Sequence, residues 1–120
     1  MNYDPNNIFA KIIDGTIPVE PIFENEYVLV IKDKFPQAPI HLLILPKQPY
    51  INMTDFTQNA SDEEIVTLNR ATGEMIAKFG LEENGYRVIS NAGTHGGQEI
   101  PHLHWHILGG KQLGKMLSSS

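Results

Sequence analysis

Cysteine is absent from the 120-residue sequence, which excludes disulfides, thiolate metal ligands and thiol nucleophiles. Long apolar runs are absent as well, and no segment approaches the roughly 20 apolar residues that a bilayer-spanning helix needs. Residues 1–5 lack the basic patch and apolar stretch of a signal peptide. These absences lead us to expect a cytoplasmic protein that has no membrane partner.

Positive charge is scarce, with 9 lysines and arginines against 14 aspartates and glutamates, and a net charge of −5. A protein that binds duplex nucleic acid usually presents a basic face. Here the basic residues are scattered, apart from a loose cluster at 111–115, so we expect no nucleic-acid partner. A small anionic ligand stays compatible with this composition, because backbone dipoles can bind a phosphate whatever the net charge.

Length and composition are typical of one globular domain. Hydrophobic residues make up 41% and charged residues 19% of the chain, and neither an internal repeat nor a linker is visible. We expect a single domain over residues 1–120, with an ordered core at about 5–113 and a tail at 114–120.

The pattern of apolar residues predicts two helices and four strands. Ser61 and Glu64 form the signature of a capping box ahead of an apolar stripe, which predicts a long helix over 61–79. A shorter helix is expected at 8–13, after asparagines that can cap it. The predicted strands are 27–31, 41–45, 86–90 and 102–108. These elements indicate an α+β fold, in which the long helix lies across one face of an antiparallel sheet.

Three of the five histidines lie at alternate positions of the last predicted strand. Side chains of a strand alternate between its faces, so His102, His104 and His106 would share one face at a spacing of about 6.7 Å. The residues between them are apolar and would pack on the core. His41 begins the second predicted strand, and it would reach the same patch if the ends of the two strands meet.

Three interpretations of this cluster stay open on the residues alone. In the first, the histidines are polar residues on a solvent-facing strand. In the second, they ligate zinc or iron, since histidine is the commonest metal ligand, and Glu99 is the nearest carboxylate in sequence. In the third, one imidazole is a nucleophile, because a histidine with a pKa of about 6.5 is largely neutral at pH 7.

A glycine-rich loop at 91–98 favours the third interpretation. Gly93, Gly96 and Gly97 permit left-handed backbone angles and a close approach of a ligand, so that consecutive amides can point at phosphate oxygens. The loop lacks the Gly-Lys-Ser/Thr of a Walker motif. Beside the histidines, it predicts a phosphate cradle next to a nucleophile, which a metal site does not need.

Residues 102–108 resemble, at every position, the signature of the histidine-triad (HIT) family, His-φ-His-φ-His-φ-φ with φ apolar. The wider chain resembles its Hint branch, the purine nucleoside phosphoramidases, in the segments 8–13, 36–41, 45–47 and 96–98. The resemblance covers the predicted ordered core. It implies a HIT-like antiparallel sheet with one long and one short helix, continued across a homodimer that has one nucleotide site per subunit.

The resemblance also implies a chemistry. His104 would attack the α-phosphorus of a purine nucleoside 5′-phosphoramidate and break the P–N bond, forming a nucleotidyl-histidine that water then hydrolyses. His106 would donate the proton to the leaving group, while His102 and His41 would orient the ring of His104 through hydrogen bonds. The reaction would require no cofactor and no metal ion.

The same resemblance assigns residues to the nucleotide, an AMP- or GMP-type ligand. Asp33 would bind the ribose hydroxyls, since a carboxylate can accept both of their protons. The residues along the phosphate would be Asn91, Gly97, Gln98 and Glu99. The residues around the base would be Ile8, Phe9, Ile12 and Ile31.

Some positions depart from the pattern of the branch. Lys34 replaces an aliphatic residue at the nucleoside, Glu99 replaces a hydroxyl residue at the phosphate, and the chain ends without the usual Trp-Pro-Pro-Gly. In the branch, that tail bears on the choice of leaving group. Two other functions therefore stay open: a dinucleoside polyphosphate hydrolase or nucleotidyltransferase of the same family, and a nucleotide-binding scaffold whose turnover is incidental.

Overall fold

The computed structural model describes residues 2–118, so Met1, Ser119 and Ser120 of the predicted domain and tail lie outside it. The helices are α1 (Ile8–Ile13), α2 (Met53–Asn59) and α3 (Asp62–Lys78). The strands are β1 (Phe23–Glu24), β2 (Val28–Lys32), β3 (Ile40–Pro46), β4 (Tyr86–Ser90) and β5 (Trp105–Gly109). All neighbouring strands are antiparallel, in the order β1-β2-β3-β5-β4. Within residues 2–118, none of the helices is long and apolar enough to cross a membrane.

The long helix α3 covers one face of the sheet, because its apolar side chains fall on one stripe. Ser61 and Glu64 form the predicted capping box at its N-terminus. Leu68 and Met75 are buried against strand residues such as Ile44, and these form the larger of two apolar clusters. The predicted α+β architecture is therefore confirmed.

The opposite face carries α1 and a second apolar cluster. Its buried members are Phe9, Leu29, Ile31, Leu43 and Leu45. His106 is paired with Leu43 in the register of β3 and β5, so its side chain lies on this face, whereas Trp105 and Ile107 belong to the cluster under α3. The predicted division of the last strand into a histidine face and a core face is confirmed from residue 105 onward.

The prediction of one long and one short helix was wrong, because α2 is a third helix. The side chain of Asn52 caps it by accepting a hydrogen bond from the amide of Asp55 at 3.0 Å, and Phe56 anchors it in the core. Its other residues are mostly weak helix formers, so propensity gave no signal. The two-residue strand β1 was missed as well, since alternation needs a longer segment to be seen.

The last strand was also predicted too long, because β5 begins at Trp105 rather than at His102. If the β3–β5 register continued, Pro46 would lie opposite Leu103, and proline has no N–H to donate to a ladder. The amide of His102 instead donates to the carbonyl of Ile100 at 2.9 Å. Residues 102–104 are therefore irregular backbone, and strand alternation does not place all of the histidines.

Candidate active site

His104 is oriented by the main chain of its own segment. Its Nδ1 lies 2.7 Å from the carbonyl oxygen of His102. A carbonyl oxygen can only accept, so Nδ1 carries the proton and donates it, and Nε2 of the neutral ring has a free lone pair. Phe9 packs edge-on against this ring, with 4.7 Å between the ring centroids. These contacts hold a neutral imidazole whose Nε2 is nucleophilic.

His106 is held in the opposite tautomer by a relay of two hydrogen bonds, which runs from the amide of Gln37 through His41 to His106. The N–H of Gln37 donates to Nδ1 of His41 at 3.1 Å, so the proton of the neutral His41 ring is on Nε2. That Nε2 donates to Nδ1 of His106 at 2.9 Å. Nε2 of His106 therefore carries a proton. The site presents a lone pair on His104 and an N–H on His106, on rings whose centroids are 5.0 Å apart.

The two Nε2 atoms are open to a ligand. Among the described residues, every buried side-chain nitrogen or oxygen has a hydrogen-bond partner. In the same part of the chain, the hydrogen bonds of His104 and His106 are made through Nδ1, and Nε2 has none. Both atoms therefore reach the surface, although the rings that carry them are largely covered.

Burial keeps the histidines of this site neutral at pH 7. It lowers the pKa of His106 to about 4, assisted by the neighbouring imidazoles and opposed by the carboxylate of Asp33. Burial also lowers the pKa of His104, against the effects of its main-chain hydrogen bond and of Asp33 and Glu99. The pKa of His41 is lowered by burial and raised less by Asp33. A neutral nucleophile is available without further adjustment.

His102 contributes its carbonyl to the site and not its imidazole. The ring is 1% exposed. Its Nε2 lies 2.8 Å from the carbonyl oxygen of Pro46, and its Nδ1 lies 2.6 Å from the hydroxyl of Tyr3. The expected hydrogen bond from His102 to His104 is present and is made by the main-chain carbonyl. The expected hydrogen bond from His41 to His104 was wrong, because the ring of His41 bonds to His106.

These buried histidines make stability depend on pH. Burial lowers the pKa of His102 to about 4, as it does for His106, whereas both titrate near 6.5 in the unfolded chain. Between these values the unfolded chain binds more protons, so the stabilisation present above 6.5 is lost as the pH falls towards 4. We expect the free energy of unfolding to fall by about 1.4 kcal/mol per pH unit for His102, and by less for the more exposed His106, because solvent screens its shift. Urea midpoints that are equal at about pH 7 and about pH 5 would contradict this expectation.

Asp33 lies beside the relay. Its Oδ2 is 3.3 Å from Nε2 of His41, and its Oδ1 accepts a hydrogen bond from the amide of Phe35 at 2.8 Å. The Asp33 side chain is 19% exposed, so part of the carboxylate faces solvent. Its predicted contact with ribose hydroxyls stays a prediction.

Asp33, His41 and His106 form a group whose ligand atoms all lie within 4.8 Å of one another, which is close enough to hold a metal ion. The tautomers oppose that use. A histidine that ligates through Nε2 normally donates from Nδ1 to an acceptor, whereas Nδ1 of His41 faces the N–H of Gln37. The arrangement favours the hydrogen-bond relay over metal ligation, and the absence of a metal requirement stays a prediction.

The glycine loop is shaped by backbone angles that glycine permits. Gly93 and Gly97 have φ values of +64° and +73°. A Cβ atom at Gly96 would lie 2.2 Å from the carbonyl oxygen of Ala92, so no larger residue fits there without a change of the backbone. These glycines fold the loop into a tight turn.

Most of the residues predicted to bind the phosphate make hydrogen bonds within the chain. The side-chain amide of Asn91 donates to a loop carbonyl at 2.6 Å, and that of Gln98 links the loop to two carbonyls outside it. The amide of Gly97 donates inside the loop. Glu99 is exposed, and its charge offsets part of the lowering of the His104 pKa that burial causes. Of these four residues, Glu99 is near enough to His104 for its charge to act on it, and a phosphate contact by these groups stays a prediction.

The residues predicted to surround the nucleotide base differ in how far they are exposed to solvent. Phe9 and Ile31 are buried in the cluster under α1, and Ile12 packs against the same cluster. Ile8 is 45% exposed. The structure brings Phe9 against the ring of His104 and leaves Ile8 accessible, while the contacts of these residues with a base stay predictions.

Sequence reasoning missed Tyr3, Gln37 and Phe35. Tyr3 precedes the segment that carries the resemblance, and Gln37 acts through its main chain, which no side-chain pattern signals. Phe35 is 78% exposed, and Nζ of Lys34 lies 5.9 Å from its ring centroid. The ammonium group of Lys34 thus lies near an aromatic ring, and a contact of Lys34 with a nucleoside stays a prediction.

Comparison with known proteins extends the likeness over nearly the whole chain. A family model described as the HIT domain matches residues 14–113. The uncharacterized 13.2 kDa HIT-like protein of Azospirillum brasilense is 47% identical over 116 residues, which cover 97% of this chain and 95% of that protein. An uncharacterized HIT-like protein of Rickettsia prowazekii is 41% identical and covers 98% of each chain.

Solved structures share the fold. A HIT family hydrolase from Legionella pneumophila has a TM-score of 0.84 at 38% identity, covering 91% of this chain and 96% of that one. A histidine triad nucleotide-binding protein from Candida albicans has a TM-score of 0.78 at 25% identity, covering 96% of this chain and 86% of that one. The α+β fold described above is thus shared with these proteins.

Proposed function

This chain belongs to the HIT domain family, and we propose that it hydrolyses the P–N bond of a purine nucleoside 5′-phosphoramidate through a nucleotidyl intermediate on His104. Structural neighbours named HIT family hydrolases support a hydrolase-type enzyme at the level of the family. The observation that carries the proposal is the pair of opposed tautomers, a lone pair on His104 beside an N–H on His106. Attack on phosphorus and departure of an amine require such a pair.

In the first step, Nε2 of His104 attacks the α-phosphorus and the P–N bond to the amine breaks. The bound anionic phosphate raises the pKa of His106, so that this ring takes up a proton from solvent on Nδ1. The N–H of His41 that Nδ1 had accepted then turns to Oδ2 of Asp33, 3.3 Å away, and the same carboxylate stabilises the charge on His106. His106 then delivers the proton on Nε2 to the leaving amine. The positive charge that develops on the His104 ring is stabilised by the hydrogen bond to the His102 carbonyl.

In the second step, water attacks the same phosphorus. Nε2 of His106 takes one proton from the water, the bond between phosphorus and His104 breaks, and the electron pair returns to Nε2 of His104. The products are a nucleoside monophosphate and an amine, and His106 returns its extra proton to solvent. No cofactor or metal ion takes part in either step.

The ligand of this proposal is an AMP- or GMP-type nucleotide. The structural neighbour from Candida albicans is named a nucleotide-binding protein. The part-exposed carboxylate of Asp33, beside His41, suits a ribose diol, and the exposed Ile8 suits a base. The loop residues assigned to the phosphate complete the proposed site: Asn91, Gly97, Gln98 and Glu99.

Mass spectrometry of protein quenched during turnover tests this function. We expect a nucleotidyl adduct on His104 and none on His95, the exposed histidine of the loop. Parallel assays with an adenosine phosphoramidate and with diadenosine polyphosphates identify the leaving group, and EDTA is expected to leave the rate unchanged. Tight AMP binding with neither adduct nor turnover would instead indicate a scaffold and would sink the hydrolase proposal.

The predicted homodimer belongs to the same proposal, with the sheet continued through β4. This strand lies at one edge of the sheet, where its outer backbone groups are available for pairing. Its side chains include Tyr86 at 48% and Val88 at 40% exposure. A cavity of about 370 Å³ beside Val88 is lined partly by Met53 and Trp105. An edge strand next to an apolar cavity is well suited to pairing with a second copy.

Val88→Lys is expected to convert the dimer to a monomer. An unpaired charge buried at the junction costs roughly 3–5 kcal/mol, which weakens association by more than about 100-fold. Light scattering after size exclusion measures the mass. Val19→Lys is the matched control, because Val19 is a similarly exposed valine at 41% in the loop after α1. A Val88→Lys protein that remains dimeric would exclude this strand as the junction.

A further inference from the structure

The carbonyl that orients His104 belongs to backbone outside the sheet. The ladders of β5 with β3 and β4 begin at Trp105, so residues 102–104 are not aligned by strand pairing. Backbone of this kind keeps its direction only through the groups that hold it. The amide of Leu103, in the same peptide group as this carbonyl, donates to the carbonyl of Tyr50 at 2.7 Å, and the ring contacts of His102 fix the residue on the other side of that group.

Two hydrogen bonds hold the ring of His102. Its Nε2 is 2.8 Å from the carbonyl oxygen of Pro46, which can only accept, so this nitrogen carries the proton. Nδ1 must then accept, and the hydroxyl of Tyr3, 2.6 Å away, is its donor. Burial raises the pKa of Tyr3 and lowers the pKa of His102 to about 4, so at pH 7 the first is a protonated donor and the second a neutral acceptor.

Tyr3 is itself fixed by the turn that precedes α1. The amide and the side chain of Asn7 both donate to the carbonyl of Asp4, and Oδ1 of Asn7 caps the helix at the amide of Ala10. The rings of Tyr3 and His102 meet edge-on at 5.6 Å between centroids. Residues 3–7 are therefore held at one end by the contact of Tyr3 with His102 and at the other by the helix cap at Asn7.

We propose that Tyr3 is a positioning residue, which holds the ring of His102 and thereby the carbonyl that fixes the tautomer of His104. The line of contacts runs from the Tyr3 hydroxyl to the His102 ring, and from the His102 carbonyl to Nδ1 of His104. The expected loss of kcat rests on the proposed function, whereas the expected change in the His104 tautomer does not. Without the hydroxyl, the buried acceptor on His102 has no partner, so the ring and its carbonyl move towards another donor.

Tyr3→Phe tests the proposal by removing only the hydroxyl. We expect kcat on an adenosine phosphoramidate to fall about 10- to 100-fold with KM changed less than about twofold, as for a misplaced reacting group. Long-range proton–nitrogen NMR of the free protein is expected to show one His104 tautomer, with the proton on Nδ1, in the unmodified protein and a mixture in the variant. Tyr27→Phe is the matched control, since its hydroxyl bonds to Glu63, outside the histidine network.

The possible results separate the two proposals. An unchanged kcat together with an unchanged His104 tautomer in Tyr3→Phe overturns the inference. A lower melting temperature with the tautomer intact overturns it as well, because Tyr3 would then be purely structural. If the unmodified protein does not hydrolyse phosphoramidates, the proposed function fails, and the NMR comparison still decides the role of Tyr3.

Discussion

Replacing His104 by glycine is expected to lower kcat on an adenosine phosphoramidate roughly 10⁴- to 10⁶-fold, the loss typical of a deleted nucleophile. No neighbour takes over, because His106 presents an N–H at its open nitrogen and Nε2 of His41 donates within the relay. AMP binding should persist, since the proposed ribose and base contacts belong to other residues. Steady-state kinetics and titration calorimetry measure the two properties separately.

The glycine variant also leaves a space that a small base can fill. Added imidazole is expected to restore part of the rate, because it supplies a lone pair where the His104 ring packed against Phe9. His95→Ala is the control, as it removes an exposed histidine of the neighbouring loop. If His104→Gly keeps its circular dichroism spectrum and its full rate, His104 is not the nucleophile.

Replacing His106 by alanine is expected to lower kcat/KM, which reports the steps through loss of the leaving group and not hydrolysis of the shared intermediate, according to the leaving group. General acid catalysis contributes about 10²- to 10⁴-fold, so kcat/KM for an alkylamine phosphoramidate should fall by that factor. A p-nitrophenyl ester of AMP should lose much less, because nitrophenolate departs without a proton. The ratio of the two losses, measured by steady-state kinetics, isolates proton donation from binding.

The fold should tolerate this change. Nε2 of His41, deprived of His106, still has Oδ2 of Asp33 at 3.3 Å as an acceptor. Equal losses on the two substrates would assign His106 to phosphate binding or structure and would remove it as the proton donor. Asp33→Asn with His106 intact provides a comparison in which the donor remains and only its neighbouring charge is lost.

Local sequence signals predicted those parts of the molecule that depend on local interactions. The capping box at Ser61 and Glu64 and the apolar stripe after it placed α3, since both are effects of near neighbours in a helix. Alternation of apolar residues likewise separated the two faces of β5 at His106 and Ile107. The resemblance to the HIT family singled out His104 before any geometry was available.

The remaining features depend on contacts between distant segments. The start of β5 is set by Pro46 on another strand, and the tautomer of His106 is set by the amide of Gln37. Neither contact leaves a periodic trace in the sequence. Tyr3, 99 positions from its partner His102, is the extreme case, because the only signal that links them is the folded structure.

Because residues 102–104 are irregular, the backbone that orients the His104 ring is separate from the backbone that pairs in the sheet. Strand pairing of β5 begins at Trp105, whereas the ring of His104 is oriented by the carbonyl of His102, which precedes the strand. If Tyr3 positions His102 as proposed, a substitution at Tyr3 lowers turnover by more than its effect on the melting temperature would suggest. An affinity tag fused close to Tyr3 is a hazard for the same reason: the purified protein would look well folded and still be slow.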